Sequence, residues 1–169
     1  MNEPEATDSS ARSVANREGK YLTFSLAGEE YGIGILKVKE IIGMMAITAV
    51  PQTPGYIKGV VNLRGKVIPI VDLRLKFGLA ATAATEKTCI IVVEVTGIAQ
   101  QTLIGILVDS VTEVLNIRGA DIEAVPDFGT QEDMSSILGM AKTGGTVKIL
   151  LDIDSVLASQ DLHVINQAA

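Results

Sequence analysis

Residues 57–73, IKGVVNLRGKVIPIVDL, constrain the fold more than any other stretch of the chain. Two apolar runs flank the polar break Asn62-Leu63-Arg64-Gly65-Lys66. That is the pattern of a β-hairpin whose glycine supplies a positive φ at the turn. Arg64 then stands at the tip, pointing away from the hairpin core. Asp72 suits the N-cap of a helix of one or two turns, and Gly78 suits its stop. The same skeleton returns later. Ile137, Gly139, Gly145, Val147 and Asp152 recur in the order and spacing of Ile57, Gly59, Gly65, Val67 and Asp72. Arg64-Gly65 becomes Gly144-Gly145, so the arginine is not duplicated. The hairpin is architecture, and Arg64 is an addition to one copy.

The rest of the chain follows the duplication. Residues 1–19 are polar, charged and aperiodic, and are expected to form a disordered leader. From Tyr21 to Leu26 the alternation is strict, with Leu22, Phe24 and Leu26 on one side, which predicts a half-buried strand. Ala27-Gly28-Glu29-Glu30 makes a turn, and residues 31–35 return. Residues 37–42 fit either a strand or a single helical turn. Residues 79–86, LAATAATE, join the copies as a linker, although their alanines would also suit a helix.

In the second copy Ile91, Val93 and Val95 match Leu22, Phe24 and Leu26. Ile90 and Val92 make the other face apolar too, so this strand should be covered on both sides. Gly105-Ile106 repeats Gly32-Ile33, Val111-Thr112-Glu113-Val114 repeats Val38-Lys39-Glu40-Ile41, and Ala124-Val125-Pro126 repeats Ala49-Val50-Pro51. Residues 127–136 form an acidic loop, residues 146–153 the last core strand, and Asp154 is placed to cap a short helix ending near Ser159. Five short strands per half and a repeat of about seventy to eighty residues predict an all-β protein of two five-stranded, SH3-like barrels with short helices. The expected organisation is a leader (1–19), one folded unit (20–157) and a tail (158–169). The first barrel lies near 20–78 and the second near 88–157. Each half is too small to bury much surface alone, so the barrels should pack together or exchange strands.

Composition narrows the function. A net charge of −6 argues against a general binder of nucleic-acid backbones. Aromatic residues are only 4%, with no tryptophan, which disfavours base-stacking and sugar-binding platforms. Neither a secretory signal nor a membrane span is evident, and a cytoplasmic location is expected. One cysteine, Cys89, allows no internal disulfide, and one histidine, His163, allows no histidine-based metal site. No metal and no cofactor is therefore expected.

Catalytic readings find little purchase. Cys89 opens an apolar strand and His163 lies in the tail, so a Cys–His pair is not indicated. The plain reading of Cys89 is a small buried hydrophobe. Asp72 and Asp152 are equivalent helix caps, and Asp109 stands at a strand end. Neither phosphate-loop motif precedes a helix, and Gly32-Ile33-Gly34 reads as a strand bend. Val38 and Ile41 read as core. Glu40 and Glu113 recur in the duplication, which favours a structural role for both. Arg64 is either a solvated turn residue or a planar donor fork offered to a partner. What remains is a protein whose output is contact.

The runs EEYGIGILKVKEI, TPGYIKGVVNLRGKVIPIVDLRLKFG and GILVDSVTEVL strongly resemble the CheW chemotaxis coupling proteins across residues 20–157. The same domain ends CheA kinases and is fused to a receiver in CheV, so this chain looks like the stand-alone adaptor. The resemblance implies two intertwined SH3-like β-barrels and no enzymatic activity. It implies two partners: the regulatory domain of the histidine kinase CheA, and the cytoplasmic hairpin tip of chemoreceptors. Contact with the membrane would be indirect, through the receptors. Carried over by motif, the kinase-facing set is Val38, Ile41, Lys58 and Gly59. At Gly59 a missing Cβ would let a partner strand approach. The receptor groove between barrels would take Ile35, Glu40, Arg64, Val67, Cys89 and Val114. Cys89 departs from the aliphatic residue usual in the family. Phe128 would make a second kinase contact. The alternatives are a small-ligand-binding or hydrolytic β-barrel using Asp72, Asp109 or Asp152, and a same-fold adaptor of a non-chemotaxis system.

Overall fold

The computed structural model describes residues 17–96, 101–125 and 136–157. The elements in order are β1 (Gly19–Leu26), β2 (Glu29–Gly34), a 3-10 turn (Ile35–Lys37), β3 (Val38–Gly43), β4 (Ile57–Leu63), β5 (Lys66–Asp72) and α1 (Leu73–Lys76). The second half carries β6 (Cys89–Thr96), β7 (Gln101–Val108), β8 (Ser110–Ile117), a 3-10 turn (Gly119–Asp121), β9 (Ile122–Glu123), β10 (Ile137–Thr143), β11 (Thr146–Leu151) and α2 (Ile153–Val156). The open choice at residues 37–42 resolves as a strand entered through a 3-10 turn. The linker 79–86 carries no regular secondary structure.

The duplication is visible in the backbone. The β4–β5 and β10–β11 hairpins share a register and a bulge, between Ile57 and Gly59 in one and between Ile137 and Gly139 in the other. Their turns have positive φ at both central residues: 52° and 87° at Arg64-Gly65, 55° and 82° at Gly144-Gly145. The β1–β2 turn at Ala27-Gly28 does the same. Such turns match the right-handed twist of the strands they join. Each hairpin leads into a four-residue helix too short to persist alone. Asp72 holds the first by accepting from the N–H groups of Arg74 and Leu75, and Gly78, at φ 77°, closes it. Asp152 caps the second, accepting from the N–H of Asp154 and from the Ser155 hydroxyl. The expected cap at Asp154 is thus displaced by two residues, and its carboxylate is free for other work.

Neither sheet is built from one half of the chain. One runs β8-β1-β2-β11-β10-β9 and the other β3-β6-β7-β5-β4. The halves are stitched by two parallel pairings, β5 with β7 and β11 with β2. In each pairing a glycine faces a branched residue, Gly105 beside Ile70 and Gly32 beside Leu150. The expectation of intertwined barrels is met. The sixth strand of the first sheet is the two-residue β9; its counterpart in the other sheet is a single bridge between Thr48 and Val60.

Intertwining creates three cores. The central one lies between the sheets and holds Leu22, Phe24, Leu26 and Ile33 with Val71, Ile91, Val93 and Ile106. Tyr31 stacks on Phe24 and also touches Phe77, from the chain after α1. Each curled sheet also wraps its own smaller core, one around Tyr21, Ile117 and Leu150, the other around Val61, Ile68, Ile70, Ile90 and Val92. The two-faced strand predicted at β6 is therefore real, and its second face fills a barrel. The half-buried reading of β1 is corrected for the same reason. Its other face carries Tyr21 and Thr23, 4% and 0% exposed. Thr23 is satisfied there, donating its hydroxyl to the Glu113 carbonyl and accepting from the Glu113 N–H.

The two small cores differ in charge at one pair of positions. In the β3–β4 sheet Ile68 and Leu103 close the core. The repeat puts Lys148 and Glu30 at those positions in the other sheet, with Lys148 Nζ 2.8 Å from Glu30 Oε1. Lys148 is 7% exposed, and that glutamate oxygen has no hydrogen bond besides this ion contact among the described residues. Burying two charges roughly cancels their attraction, whereas orphaning one is costly. Lys148→Ala should therefore lower stability by about 2–3 kcal/mol. Glu30→Leu with Lys148→Ile, which copies the other barrel, should match or exceed the wild-type melting temperature in calorimetry.

Candidate functional site

The acids weighed for catalysis are all held by structural partners. Asp72 and Asp152 are caps. Asp109 takes a two-pronged bond from Arg74, Nε to Oδ1 at 2.8 Å and Nη2 to Oδ2 at 2.7 Å, and its Oδ2 also accepts from the Ala27 N–H at 2.8 Å. The Arg74 hydrogen bond first, and the Ala27 bond after it, hold this carboxyl below its ordinary value of 3.8 against the opposing effect of burial. A cavity of about 120 Å³ beside Lys58, Arg74 and Thr88 adjoins Asp72 and Asp109. It is small against the several hundred Å³ of usual ligand pockets. Among the described residues no three His, Cys, Asp or Glu side chains group as metal ligands, and no helix is long and apolar enough to cross a membrane.

Apolar residues stand out on the strands instead. Ile41, Val67, Val114 and Val147 are 45%, 66%, 50% and 50% exposed. Ile41 is paired with Ile91, and Val114 with Leu22, both central-core residues. Paired residues share a face. By alternation Val67 lies on the face of Val71, and Val147 on the face of Ile149 and Leu151, which also meet the central core. All four therefore extend the central core past the part that the opposite sheet covers. The core reading of Ile41 is corrected accordingly. Val38 and Ile35 are half-buried against the central core. Sequence reading missed Val147, although it is the repeat partner of Val67. It also missed Leu36, 92% exposed on the 3-10 turn.

Arg64 and Glu40 meet across one rim of this surface. Arg64 Nη1 donates to Glu40 Oε1 at 3.1 Å and Nη2 to Oε2 at 2.6 Å. Glu113, the repeat partner of Glu40, has no ion pair among the described residues, because Gly144 stands where Arg64 would. Recurrence of the glutamate thus does not mark a shared structural role, contrary to expectation. Arg64 also occupies a left-handed turn position at φ 52°. An L-residue pays about 1 kcal/mol there relative to glycine.

The other predicted residues sort out as follows. Lys58 is exposed on β4. Cys89 is half-buried against the central core and is paired with Gly43. Burial pushes its thiol above the ordinary range, so it is a poor nucleophile. Phe128, His163 and the tail beyond residue 157 lie outside the described residues, as do residues 1–16.

Gly59 is buried, and the space beside it is not available to a partner strand. A Cβ there would lie 2.1 Å from the Thr48 carbonyl oxygen, the group that accepts from the Val60 N–H. φ at Gly59 is 141°. Gly139 is less tightly confined: a Cβ there would lie 2.7 Å from Ile122 Cγ2 and 3.0 Å from the Glu123 carbonyl oxygen. Gly59 therefore closes the barrel. Gly59→Ala should lower the melting temperature by about 5 °C or more, from a loss above about 2 kcal/mol. An acid titration of unfolding offers a second check. The Asp109 contribution is complete above pH 3.8 and lost as pH falls through the lower value the carboxyl has in the fold. Asp109→Asn should reduce stability at pH 6 and flatten that acid limb.

Comparison with known proteins adds a family. A family model described as CheW-like domain matches residues 20–161. Chemotaxis protein CheW of Klebsiella aerogenes is 38% identical over 150 residues, covering 89% of this chain and 88% of that protein. Protein FrzA of Myxococcus xanthus is 29% identical over 140 residues, covering 83% and 84%. The crystal structure of scaffolding protein TtCheW from Thermoanaerobacter tengcongensis superposes with a TM-score of 0.72 at 36% identity, over 83% of this chain and 88% of that one.

Proposed function

The chain belongs to the CheW-like domain family, and from that premise we propose that it is a non-enzymatic adaptor joining a CheA-type histidine kinase to chemoreceptors. The observation that carries this is the set of exposed residues Ile41, Val67 and Val114, which continue a packed core into solvent. Large apolar side chains fixed on rigid strands suit docking, and the acids that might have done chemistry are committed elsewhere.

The receptor hairpin tip is assigned to Ile35, Glu40, Arg64, Val67, Cys89 and Val114. The kinase regulatory domain is assigned to the exposed Ile41 and Lys58 with the neighbouring Val38. Gly59 supports this face from beneath by holding β4 against Thr48, and Phe128 is kept as a second kinase contact. Glu40 orients the Arg64 fork, which is built to grip a carboxylate or backbone carbonyls. The adaptor works by holding two partners at once and raising their local concentration, so each contact can be weak. Its place of work is the cytoplasmic side of receptor arrays, reached through the receptors.

Arg64→Gly tests the reading without the ambiguity of a destabilised variant, since glycine suits the turn. Its melting temperature should equal or exceed that of the wild type. Titration against the receptor hairpin tip should show about tenfold weaker binding, close to 1.4 kcal/mol. Binding to the isolated regulatory domain of the kinase should change less than about twofold. Equal binding of both partners by the variant would remove Arg64 from the receptor site. No binding of either partner by the wild type would remove the adaptor assignment.

A further inference from the structure

Two ion-pair clasps join the sheets, and the duplication relates them. In the first, Arg74 of α1 bonds Asp109, in the β7–β8 connection, and Asp109 also accepts from Ala27 in the β1–β2 turn. In the second, Asp154 of α2 bonds Lys37 at 2.6 Å, in the β2–β3 connection, and also accepts from the Thr96 N–H at 2.9 Å, at the end of β6. Arg74 and Asp154 are repeat partners, each two residues after its capping aspartate. Ala27 and Thr96 each follow the last core residue of a matching strand. Lys37 stands within one residue of the position matching Asp109.

The geometry is shared, but the polarity is not. Both cations, Lys37 and Arg74, come from the first half, and both acids, Asp109 and Asp154, from the second. The halves share one backbone plan, so nothing in the strand pattern alone forbids two first halves from pairing across two chains. Such a pairing would set Arg74 against Lys37. Two paired second halves would set Asp154 against Asp109. The buried pair Glu30–Lys148 acts in the same sense. Paired first halves would face Glu30 with Ile68, and paired second halves would face Lys148 with Leu103, leaving a buried charge unmatched. We propose that the charges of Lys37, Arg74, Asp109 and Asp154 select the pairing of unlike halves and exclude pairing of like halves between chains. This inference is independent of the adaptor assignment.

Full-length protein is tested in the background Glu30→Leu with Lys148→Ile, which removes the buried pair. Each variant is unfolded in denaturant, refolded at low salt, and its mass distribution read by light scattering. With the clasps intact the background should refold as the wild type does. Adding Lys37→Gln, Arg74→Gln, Asp109→Asn and Asp154→Asn erases the polarity while keeping acceptors for Ala27 and Thr96. That variant should refold with a several-fold larger share of multi-chain species. Swapping one clasp, Arg74→Asp with Asp109→Arg, makes like-half pairing complementary and should raise that share too. Swapping the second as well, Lys37→Asp with Asp154→Lys, should return it to the background level. The same distribution from all four proteins would overturn the proposal. So would a failure of the neutralised and swapped variants alike to yield folded protein, because the charges would then be holding the fold together.

Discussion

Two glycines that leave room for side chains of the neighbouring strands govern the architecture. In the β5–β7 pairing, a Cβ on Gly105 would lie 2.6 Å from Ile70 Cδ1 and 2.7 Å from Ile90 Cγ2. At the matching β11–β2 pairing, a Cβ on Gly32 would meet Leu150 Cδ2 at 3.0 Å. The missing side chains let Ile70 and Leu150 turn inward and fill the small barrel cores, while the neighbouring residues Ile106 and Ile33 face the central core. The parallel strands joined there come from opposite halves of the chain. Intertwining therefore depends on room at these two glycines, and the central core depends on the intertwining. Contacts of such sequence separation carry a loop-closure penalty before any burial rewards them. Neither half has a complete core until the other arrives.

How much of this could be read from residues alone follows from the physics of each signal. The hairpins were legible because turn chemistry and alternation are local, as at Arg64-Gly65 and Gly144-Gly145. The internal repeat made the barrel pair legible as well. Which strand went to which sheet was not, because pairing between β11 and β2 leaves no local trace. The same blindness explains β1. Tyr21 and Thr23 look like a solvent face by composition, and strands of the other half, from β8 to β11, make that face interior. Arg64 was visible as an unduplicated residue at a tip, but its ion pair with Glu40 was not. The recurrence of Glu113 pointed to a shared role that the Gly144 turn cannot supply. Gly59 was read as an opening for a partner, yet the room that glycine leaves is filled by Thr48 of the same chain.

Duplication explains why apolar rims exist at all. Two curved sheets packed face to face cannot cover one another completely, so the strands that line the central core run on into solvent. Ile41 with Val67 and Val114 with Val147 are the repeat-related ends of that overhang. A duplicated backbone thus produces exposed apolar rims in pairs, as a by-product of stability.

A pair of equivalent surfaces would bind equivalent partners, and an adaptor needs the opposite. The asymmetry here is carried by side chains on an unchanged frame. Arg64 stands where the other copy has Gly144, and Lys148 and Glu30 stand where the other copy has Ile68 and Leu103. The first half holds the cations of the clasps and the second half the acids. None of these differences moves a strand, so each leaves the shared frame intact. The arginine costs about 1 kcal/mol of turn strain, and its ion pair with Glu40, exposed as it is, returns at most a similar amount. Stability alone therefore gives little reason to keep a fork at that tip. In the proposed receptor site, its rigidity on a tight turn, beside an apolar rim, would let one face of a symmetric frame recognise something that the other does not.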